Sequence, residues 1–261
     1  MRKHIIGKAG ALLAASVLTA AMLSGCQRKE IVLDNEQIIN YTAPEKGEEV
    51  AVFTIRDYGD ITIKLFPEEA PKGVENFKKL IQDGYYDELI FHRIVKDFVI
   101  QTGDPKGNGT GGDDAWGEGG FAQTISNRLV HTVGAVAYAI NPQEMLNKSQ
   151  FYIVTGEEMN DDTFAALAAQ GKTYSPYIHR VYEKTGGQPY LDGGYEIFGQ
   201  VIGGMDIALE LQKVAVDGSS KPKSQVVIEK AQIVPYDGST AVQWLNWKGE
   251  QIDGISDAAG K

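Results

Sequence analysis

Cysteine is almost absent from this sequence, with Cys26 the only one among 261 residues. A single cysteine excludes an internal disulfide, so the folded part of the chain must be stable through its hydrophobic core alone. Apolar residues make up 43% of the chain and aromatic residues 9%, which is enough for such a core and excludes a disordered chain. The length allows one domain of ordinary size with additional segments.

Runs of basic residues are missing as well, and the formal net charge is −10 at pH 7. A protein that binds nucleic acid concentrates lysine and arginine against the phosphate backbone. We therefore expect no nucleic-acid partner for this acidic chain.

The glycine-rich residues 103–120 lack the motifs of a phosphate or calcium site. No Gly-Lys-Ser/Thr follows, as a phosphate-binding loop requires. A calcium loop that starts at Asp104 would have Lys106 at its third position and Ala115 at its twelfth, where a glutamate is needed. His131 likewise has no cysteine or carboxylate cluster at metal-ligand spacing nearby. We expect an ordered loop, with no metal and no other cofactor.

The apolar, alanine-rich residues 9–23 are too few for a membrane-spanning helix, which needs about 20 residues. They follow a basic start, the layout of a secretory signal, and end in Leu23-Ser24-Gly25-Cys26. This ending resembles the lipobox of bacterial lipoproteins, whose cysteine is lipidated. We expect a signal peptide over residues 1–25 and a lipid anchor on Cys26 that holds the protein to the bacterial cell membrane, outside the cytoplasm. The alternative is an ordinary signal peptide or membrane anchor with an incidental cysteine.

The rest of the chain divides into a tether, a domain and a tail. Residues 26–49 are polar without a sustained period, which predicts a tether. The domain covers residues 50–235 and includes an insertion, residues 157–189, with two short helices, of which Asp161 or Asp162 caps the first. Residues 236–261 form a polar tail. We expect its two tryptophans, Trp244 and Trp247, to pack back on the domain.

The domain is predicted to be mainly β. Apolar residues that alternate with polar ones, with turn signals between them, predict eight strands over residues 50–56, 61–66, 90–95, 98–102, 134–140, 150–155, 195–202 and 225–234. Apolar residues at three-to-four spacing predict one helix between Pro71 and Gly84 and another over residues 205–211. Short strands in hairpin-like succession favour a closed eight-stranded antiparallel barrel capped by two helices.

Arg93 stands in the middle of an otherwise apolar strand. Such a position tolerates an arginine where the guanidinium reaches solvent or a cleft. In the next strand, period two places Phe98 and Ile100 on one face and Val99 and Gln101 on the other. We expect distant stretches to build a cleft around Arg93. By itself, the arginine fits a structural ion pair equally well.

Ordered motifs in residues 50–234 resemble the cyclophilins, a family of peptidyl-prolyl cis–trans isomerases. No single motif is specific, but the ordered set is. The matching residues are Pro71, Glu75-Asn76-Phe77, Phe91-His92-Arg93-Ile94, Phe98, Gln101-Thr102-Gly103-Asp104, Asn108-Gly109-Thr110-Gly111-Gly112, His131-Thr132, Ser149-Gln150-Phe151, Leu191-Asp192-Gly193 and Phe198-Gly199. The resemblance implies an eight-stranded barrel capped by two helices and an enzyme that acts on proline-containing polypeptides.

The resemblance also implies the roles of individual residues. Arg93 is implied to be catalytic, and Gln101 to position the substrate carbonyl. The implied substrate-binding residues are His92, Phe98, Val99, Ala139, Gln150, Tyr152, Tyr190, Leu191 and Tyr195. Tyr190 stands where the family has a tryptophan associated with cyclosporin binding, and Tyr195 where it has a histidine, so these two positions bear on drug sensitivity.

We therefore predict a monomeric, lipid-anchored isomerase that assists the folding of exported proteins. The alternative is a binding module that keeps the cyclophilin fold to dock prolyl segments with little or no turnover. The insertion is interpreted as a lid, a client-docking surface or a decoration without function, and the sequence leaves these three open.

Overall fold

The structure is a computed structural model that describes residues 31–33, 37–141, 143–239, 241–252 and 255. The predicted signal peptide and Cys26 lie outside these residues. The described strands are β1 Ile31–Leu33, β2 Glu49–Ile55, β3 Gly59–Leu65, β4 Arg93–Val95, β5 Val99–Thr102, β6 Phe121–Ala122, β7 Ala135–Tyr138, β8 Leu146–Asn147, β9 Phe151–Val154, β10 Lys172–Tyr174, β11 Ile197–Gly203 and β12 Ile228–Pro235. The described α-helices are α1 Pro71–Gln82, α2 Asp161–Ala168, α3 Pro176–Thr185 and α4 Met205–Leu211. None of these helices is long and apolar enough to cross a membrane.

Eight strands form one curled antiparallel sheet in the order β12-β2-β3-β11-β7-β9-β5-β4. This confirms the predicted mainly β fold with eight antiparallel strands. The barrel is not closed by a ladder, because the edge strands β4 and β12 are not paired with each other in the described sheet. Hydrogen bonds beside the two edges take the place of a ladder: Phe91 N donates to Val226 O over 2.9 Å, and Ile228 N donates to Leu89 O over 2.8 Å.

The alternation of side chains along the strands separates a core from an outer face. Ile94, Ile100, Ile153 and Val136 are register partners across β4, β5, β9 and β7, and all four are buried in the main core. Helix α1 covers this core with its apolar stripe of Val74, Phe77, Leu80 and Ile81, which is buried. Phe77 contacts the rings of Phe53, Tyr86, Phe151 and Phe198, with centroid distances of 4.6 to 5.7 Å. The two predicted main helices are confirmed as α1 and α4.

The insertion is partly helical, as predicted, and has a core of its own. Phe164 and Leu167 from α2 pack with Ile178 and Val181 from α3. The cap of α2 differs from the prediction: it is Asn160, whose side-chain oxygen accepts from Thr163 N over 3.1 Å. Asp161 and Asp162 lie in the first turn instead, where their negative charges interact favourably with the positive end of the helix dipole.

Much of the predicted tether is packed against the folded domain. Strand β1 pairs in parallel with β10 of the insertion, and Leu33 and Ile38 are buried. Asn40 is also buried, and its side chain donates to Val130 O over 2.9 Å and to Gln200 Oε1 over 3.1 Å. The prediction was wrong for these residues because their apolar and amide side chains find partners far along the chain. A local period does not reveal such partners.

The C-terminal tail packs back on the domain, as expected. The ring of Trp244 lies edge-on to Tyr41 with centroids 5.3 Å apart, and it belongs to a buried cluster with Val50, Ile202 and Ile252. Trp247 packs against the main core. The N-terminal and C-terminal segments therefore meet on the surface of the barrel.

Candidate active site

Four adjacent strands place one row of side chains on the outer face of the sheet. Arg93 on β4 is the register partner of Gln101 on β5, Gln101 of Tyr152 on β9, and Tyr152 of Ala137 on β7. Directly opposite residues point to the same face of a sheet, and the next row belongs to the core. The guanidinium of Arg93 is half-buried on this outer face. Arg93 thus lies on the face of the sheet opposite the main core, where the sequence led us to expect a cleft.

A relay of hydrogen bonds fixes the polar side of this row. Arg93 Nη1 donates to Gln101 Oε1 over 3.3 Å, and Gln101 Nε2 donates to Gln150 Oε1 over 2.9 Å. Gln150 Nε2 in turn donates to Gly111 O over 2.7 Å and to Gly109 O over 3.2 Å. The two glutamines are thus held by the glycine-rich loop, and they hold the arginine.

The first part of the glycine-rich loop is ordered around the buried carboxylate of Asp104. Asp104 accepts from Lys106 N, Asn108 N and Gly109 N over 2.6 to 2.9 Å. Burial opposes ionisation of Asp104, but these backbone donors outweigh it and lower its pKa. A Cβ at Gly111 would lie 2.0 Å from Asp104 Oδ1, so the chain needs glycine where it turns beneath the glutamines.

A cluster of apolar side chains, called the pocket below, continues the row beyond Gln101. Its floor is a buried cluster that includes Val99, Ala137, Tyr152 and Ile197. The partly buried residues around it are Ile39, Phe98, Ala139, Leu191 and Tyr195. The cluster is therefore assembled from stretches far apart in the chain, and it borders Gln101 through the register partner Tyr152.

Phe98 lies on a different side from the one that alternation predicts. It precedes β5 and packs on the pocket cluster together with Val99, whereas Ile100 belongs to the main core. Because Phe98 is outside the strand, the period of two does not apply to it. Its ring centroid is 5.7 Å from Cζ of Arg93, so the ring supports the guanidinium from one side.

Arg93 is a charged group with few partners. Burial lowers its pKa and the nearby Tyr195 opposes this effect, but an arginine stays charged at neutral pH. Among the described residues, no carboxylate forms an ion pair with Arg93, and Gln101 is its one hydrogen-bond partner. A structural ion pair therefore does not account for the arginine, and its remaining N–H donors are available to a ligand.

His92, Ala139 and Tyr190, also predicted as site residues, lie in three different surroundings. His92 is only 5% exposed, and burial lowers its pKa, which favours a neutral imidazole. Ala139 lines a neighbouring cleft of about 240 Å³ together with Gln101, Gln150 and Gly111. Tyr190 is 46% exposed and lies outside the apolar cluster of the pocket as described.

Sequence reasoning missed two parts of the pocket. Ala137 belongs to the central row, and the alternation of residues 134–140 places it on the same face as Ala139, so a signal for it existed. Tyr152 is bonded to a group of polar side chains formed by His131, Asp192, Tyr174 and Tyr182, in which Tyr174 is partly buried and the other three are buried. Two of these tyrosines come from the insertion, and no pattern in the sequence connects them with the pocket.

In the part of the chain that the structure describes, no group of three or more His, Cys, Asp or Glu side chains could hold a metal ion.

Comparison with known proteins identifies the family. Residues 50–233 match the family model described as cyclophilin type peptidyl-prolyl cis-trans isomerase/CLD. A Staphylococcus saprophyticus protein, named provisionally as a peptidyl-prolyl cis-trans isomerase, is 36% identical over 188 residues, which cover 72% of this chain and 93% of the relative. A Staphylococcus aureus protein with the same provisional name is 38% identical over 185 residues, which cover 71% and 92%. The crystal structure of a cyclophilin type isomerase from Cryptosporidium parvum, determined in the presence of the dipeptide Ala-Pro, is 30% identical with a TM-score of 0.56, covering 72% of this chain and 99% of that one. The chain belongs to the cyclophilin-type peptidyl-prolyl cis–trans isomerase family.

Proposed function

We propose that the chain accelerates rotation about X–Pro bonds in the groove beside Arg93, with Arg93 as the catalytic group and Gln101 as its partner. The observation that carries this proposal is a charged guanidinium without a carboxylate partner among the described residues, beside an apolar pocket. A proline ring fits the apolar side of such a groove, and the polar side faces the peptide backbone.

The proposed role of Arg93 follows from the electronic structure of the peptide bond. Rotation is opposed by a barrier of roughly 18–20 kcal/mol because the nitrogen lone pair is delocalised into the carbonyl. In the twisted state the lone pair is localised on the prolyl nitrogen, where it can accept a hydrogen bond. A charged N–H donor aimed at this nitrogen stabilises the twisted state more than the planar one, and it therefore lowers the barrier.

Gln101 and Gln150 act on the substrate backbone in this proposal. Their amides are bonded to each other over 2.9 Å and anchored on the glycine-rich loop. Groups that are fixed before the substrate arrives lose little freedom when it binds. They hold one side of the X–Pro bond still while the other side rotates.

The pocket binds the proline ring and takes no part in making or breaking bonds. Phe98, Leu191 and Tyr195 border the buried floor formed by Val99 and Tyr152. Apolar walls bind the proline ring and exclude water, which otherwise stabilises the planar, polar amide. No covalent bond is broken, so the reaction needs neither a nucleophile nor a cofactor.

The activity is tested by following the cis–trans relaxation of a proline-containing peptide with and without the protein. We expect a rate clearly above the uncatalysed one, which takes tens of seconds or longer. Binding of the peptide without any acceleration would instead support the alternative of a prolyl-binding module.

We further propose that Cys26 carries a lipid anchor and that the enzyme acts outside the cytoplasm on exported polypeptides. The support is the apolar, alanine-rich stretch over residues 9–23 followed by Leu23-Ser24-Gly25-Cys26. A cysteine with several acyl chains anchors a protein stably, whereas a single chain gives only marginal binding.

The anchor is tested by labelling cells that express the protein with radioactive palmitate. We expect the wild type to be labelled and the Cys26→Ala variant to be unlabelled. Equal labelling of both would exclude a lipid anchor at Cys26.

A further inference from the structure

The insertion, residues 157–189, has no part in the proposed chemistry, yet it is bonded to the segment that carries Leu191. It contains α2, β10 and α3, and the 3-10 helix Pro189–Leu191 begins at its last residue. We propose that the insertion is a brace for the proline pocket, which fixes Leu191 and Tyr152 through the buried carboxylate of Asp192. This inference deepens the proposed isomerase function and rests on it.

Asp192 joins the barrel to the insertion. The residue is 1% exposed, and its two carboxylate oxygens bind opposite sides. Oδ1 accepts from His131 N over 2.8 Å and lies 2.7 Å from His131 Nδ1. Oδ2 accepts from the hydroxyls of Tyr182 over 2.6 Å and Tyr174 over 3.1 Å. One carboxylate therefore links a barrel histidine to β10 and α3.

The histidine carries this link to the floor of the pocket. His131 Nε2 lies 3.0 Å from the hydroxyl oxygen of Tyr152, and both side chains are buried. A buried hydroxyl without a partner is costly, so this bond favours one position of the tyrosine ring. A shift of Asp192 would consequently move His131 and release Tyr152.

Strand β10 also binds the backbone that carries Leu191. Lys172 Nζ donates to Tyr190 O over 2.5 Å and to Asp192 O over 2.8 Å. The hydroxyl oxygen of Tyr174 also lies 2.8 Å from Pro189 O, so its one proton is shared between this carbonyl and Asp192 Oδ2. Carbonyls on both sides of Leu191 are therefore held by two side chains of a single short strand.

The N-terminal strand supports the brace from the other side. Ile31 N donates to Gly171 O over 3.0 Å, and Ser175 N donates to Leu33 O over 2.8 Å, so β1 is bonded to both ends of β10. The Ile31 side chain packs on Gly193, where an added Cβ would lie only 2.7 Å from Ile31 Cδ1.

These contacts favour a fixed brace over a mobile lid. Opening a lid would separate Asp192 from Tyr174 and Tyr182. The buried carboxylate would then lose two hydrogen-bond donors, which costs free energy. Of the alternatives that the sequence left open, these contacts oppose a lid and support a structural role that acts on the pocket.

The test removes two hydroxyls from the full-length protein. The Tyr174→Phe/Tyr182→Phe double variant keeps both rings but loses their three bonds to Asp192 and Pro189. The matched control is Tyr177→Phe, a buried tyrosine on α3 that takes no part in the bonds described above. We expect KM for a prolyl peptide to rise about tenfold and kcat to stay within about twofold, because the brace holds the ring-binding wall and not Arg93.

Amide hydrogen exchange supplies a second readout that does not depend on activity. The amides of Leu191 and Asp192 should exchange about tenfold faster in the double variant and at the wild-type rate in Tyr177→Phe. An unchanged KM in a folded double variant would overturn the brace, whatever the exchange rates. A wild type without isomerase activity would refute the proposed function, and the exchange rates alone would then decide on the brace. If the double variant does not fold, the single Tyr174→Phe variant is measured in the same way.

Discussion

Arg93 is held by two contacts that have different consequences for its function. Its bond with Gln101 over 3.3 Å fixes one edge of the guanidinium, and the ring of Phe98 supports its face. Neither contact neutralises the charge, as an aspartate or glutamate would. At the scale of the residue, the guanidinium is therefore fixed in position while its positive charge stays unneutralised. Stabilisation of a transition state requires both properties.

The hydrogen-bond relay predicts that Gln101 affects catalysis through both of its neighbours, Arg93 and Gln150. In Gln101→Leu the arginine loses its described partner and Gln150 loses a donor, so we expect kcat/KM to fall about tenfold to hundredfold. The measurement is the peptide isomerisation rate. Gln143→Leu is the matched control, since Gln143 lines the neighbouring cleft but takes no part in the relay. A Gln101→Leu variant as active as this control would contradict the relay.

Glu196 predicts a pH dependence of stability. Its carboxylate accepts from Thr124 N over 2.6 Å and from Asn147 Nδ2 over 2.7 Å, but burial dominates and raises its pKa to about 7. Between the ordinary pKa and this value the folded state binds more protons than the unfolded state. Stability therefore falls as the pH rises from about 4.5 to 7.

Glu196→Gln removes this titration and keeps an acceptor for both donors. We expect the free energy of unfolding of the variant, relative to wild type, to increase by about 2–3 kcal/mol between pH 4.5 and pH 8. Denaturant unfolding at the two pH values measures the change. An equal difference at both values would show that Glu196 ionises in the ordinary range.

At the scale of elements, register matters more than strand length. Strands β4, β5, β9 and β7 have only three or four residues each, but their pairing aligns Arg93, Gln101 and Tyr152 in one row. A slip of one residue would turn this row into the core. The isoleucines of the adjacent row, buried beneath α1, oppose such a slip.

The pairing of β1 with β10 predicts a local effect of the N-terminal segment. In Ile31→Pro the donor to Gly171 O is lost, and proline is poorly tolerated within a paired strand. We expect the amides of β10 to exchange about tenfold faster, while the barrel amides keep their rates. Val32→Thr is the control, because this side chain is 51% exposed. Equal exchange in the two variants would mean that β1 does not support β10.

At the scale of the whole molecule, the segments outside the barrel cover its surface. Asn40 reaches Val130 and Gln200, and Trp244 packs on Tyr41. The folded body therefore begins before the first strand of the barrel and extends beyond its last one.

Trp244 tests the contribution of the tail. It is 8% exposed, and Trp244→Ala would leave a void beside Val50 and Ile202. We expect the free energy of unfolding to fall by about 3 kcal/mol. Thermal or denaturant unfolding provides the measurement. A loss below about 0.5 kcal/mol would show that the tail contributes little to the stability of the domain.

The sequence predicts the barrel better than its surroundings, for a physical reason. Strands and helices with one buried face have a regular period, so the stripe of α1 and the strand around Gln101 could be read directly. The family motifs carried the prediction to the site residues. Contacts between distant segments have no period, which is why the packing of Asn40 and the bonds from Tyr174 to the pocket were not predicted. The side taken by Phe98 was not predicted because this residue precedes the strand.

The central claim is that Arg93 stabilises the twisted state of the X–Pro bond. The most direct test compares kcat/KM and peptide affinity for wild type, Arg93→Ala and Arg128→Ala, the last an exposed arginine that is paired with Glu69 over 2.6 Å. We predict that Arg93→Ala lowers kcat/KM about hundredfold or more with little change in affinity, and that Arg128→Ala does not. An Arg93→Ala variant with a kcat/KM within about twofold of wild type would contradict the account.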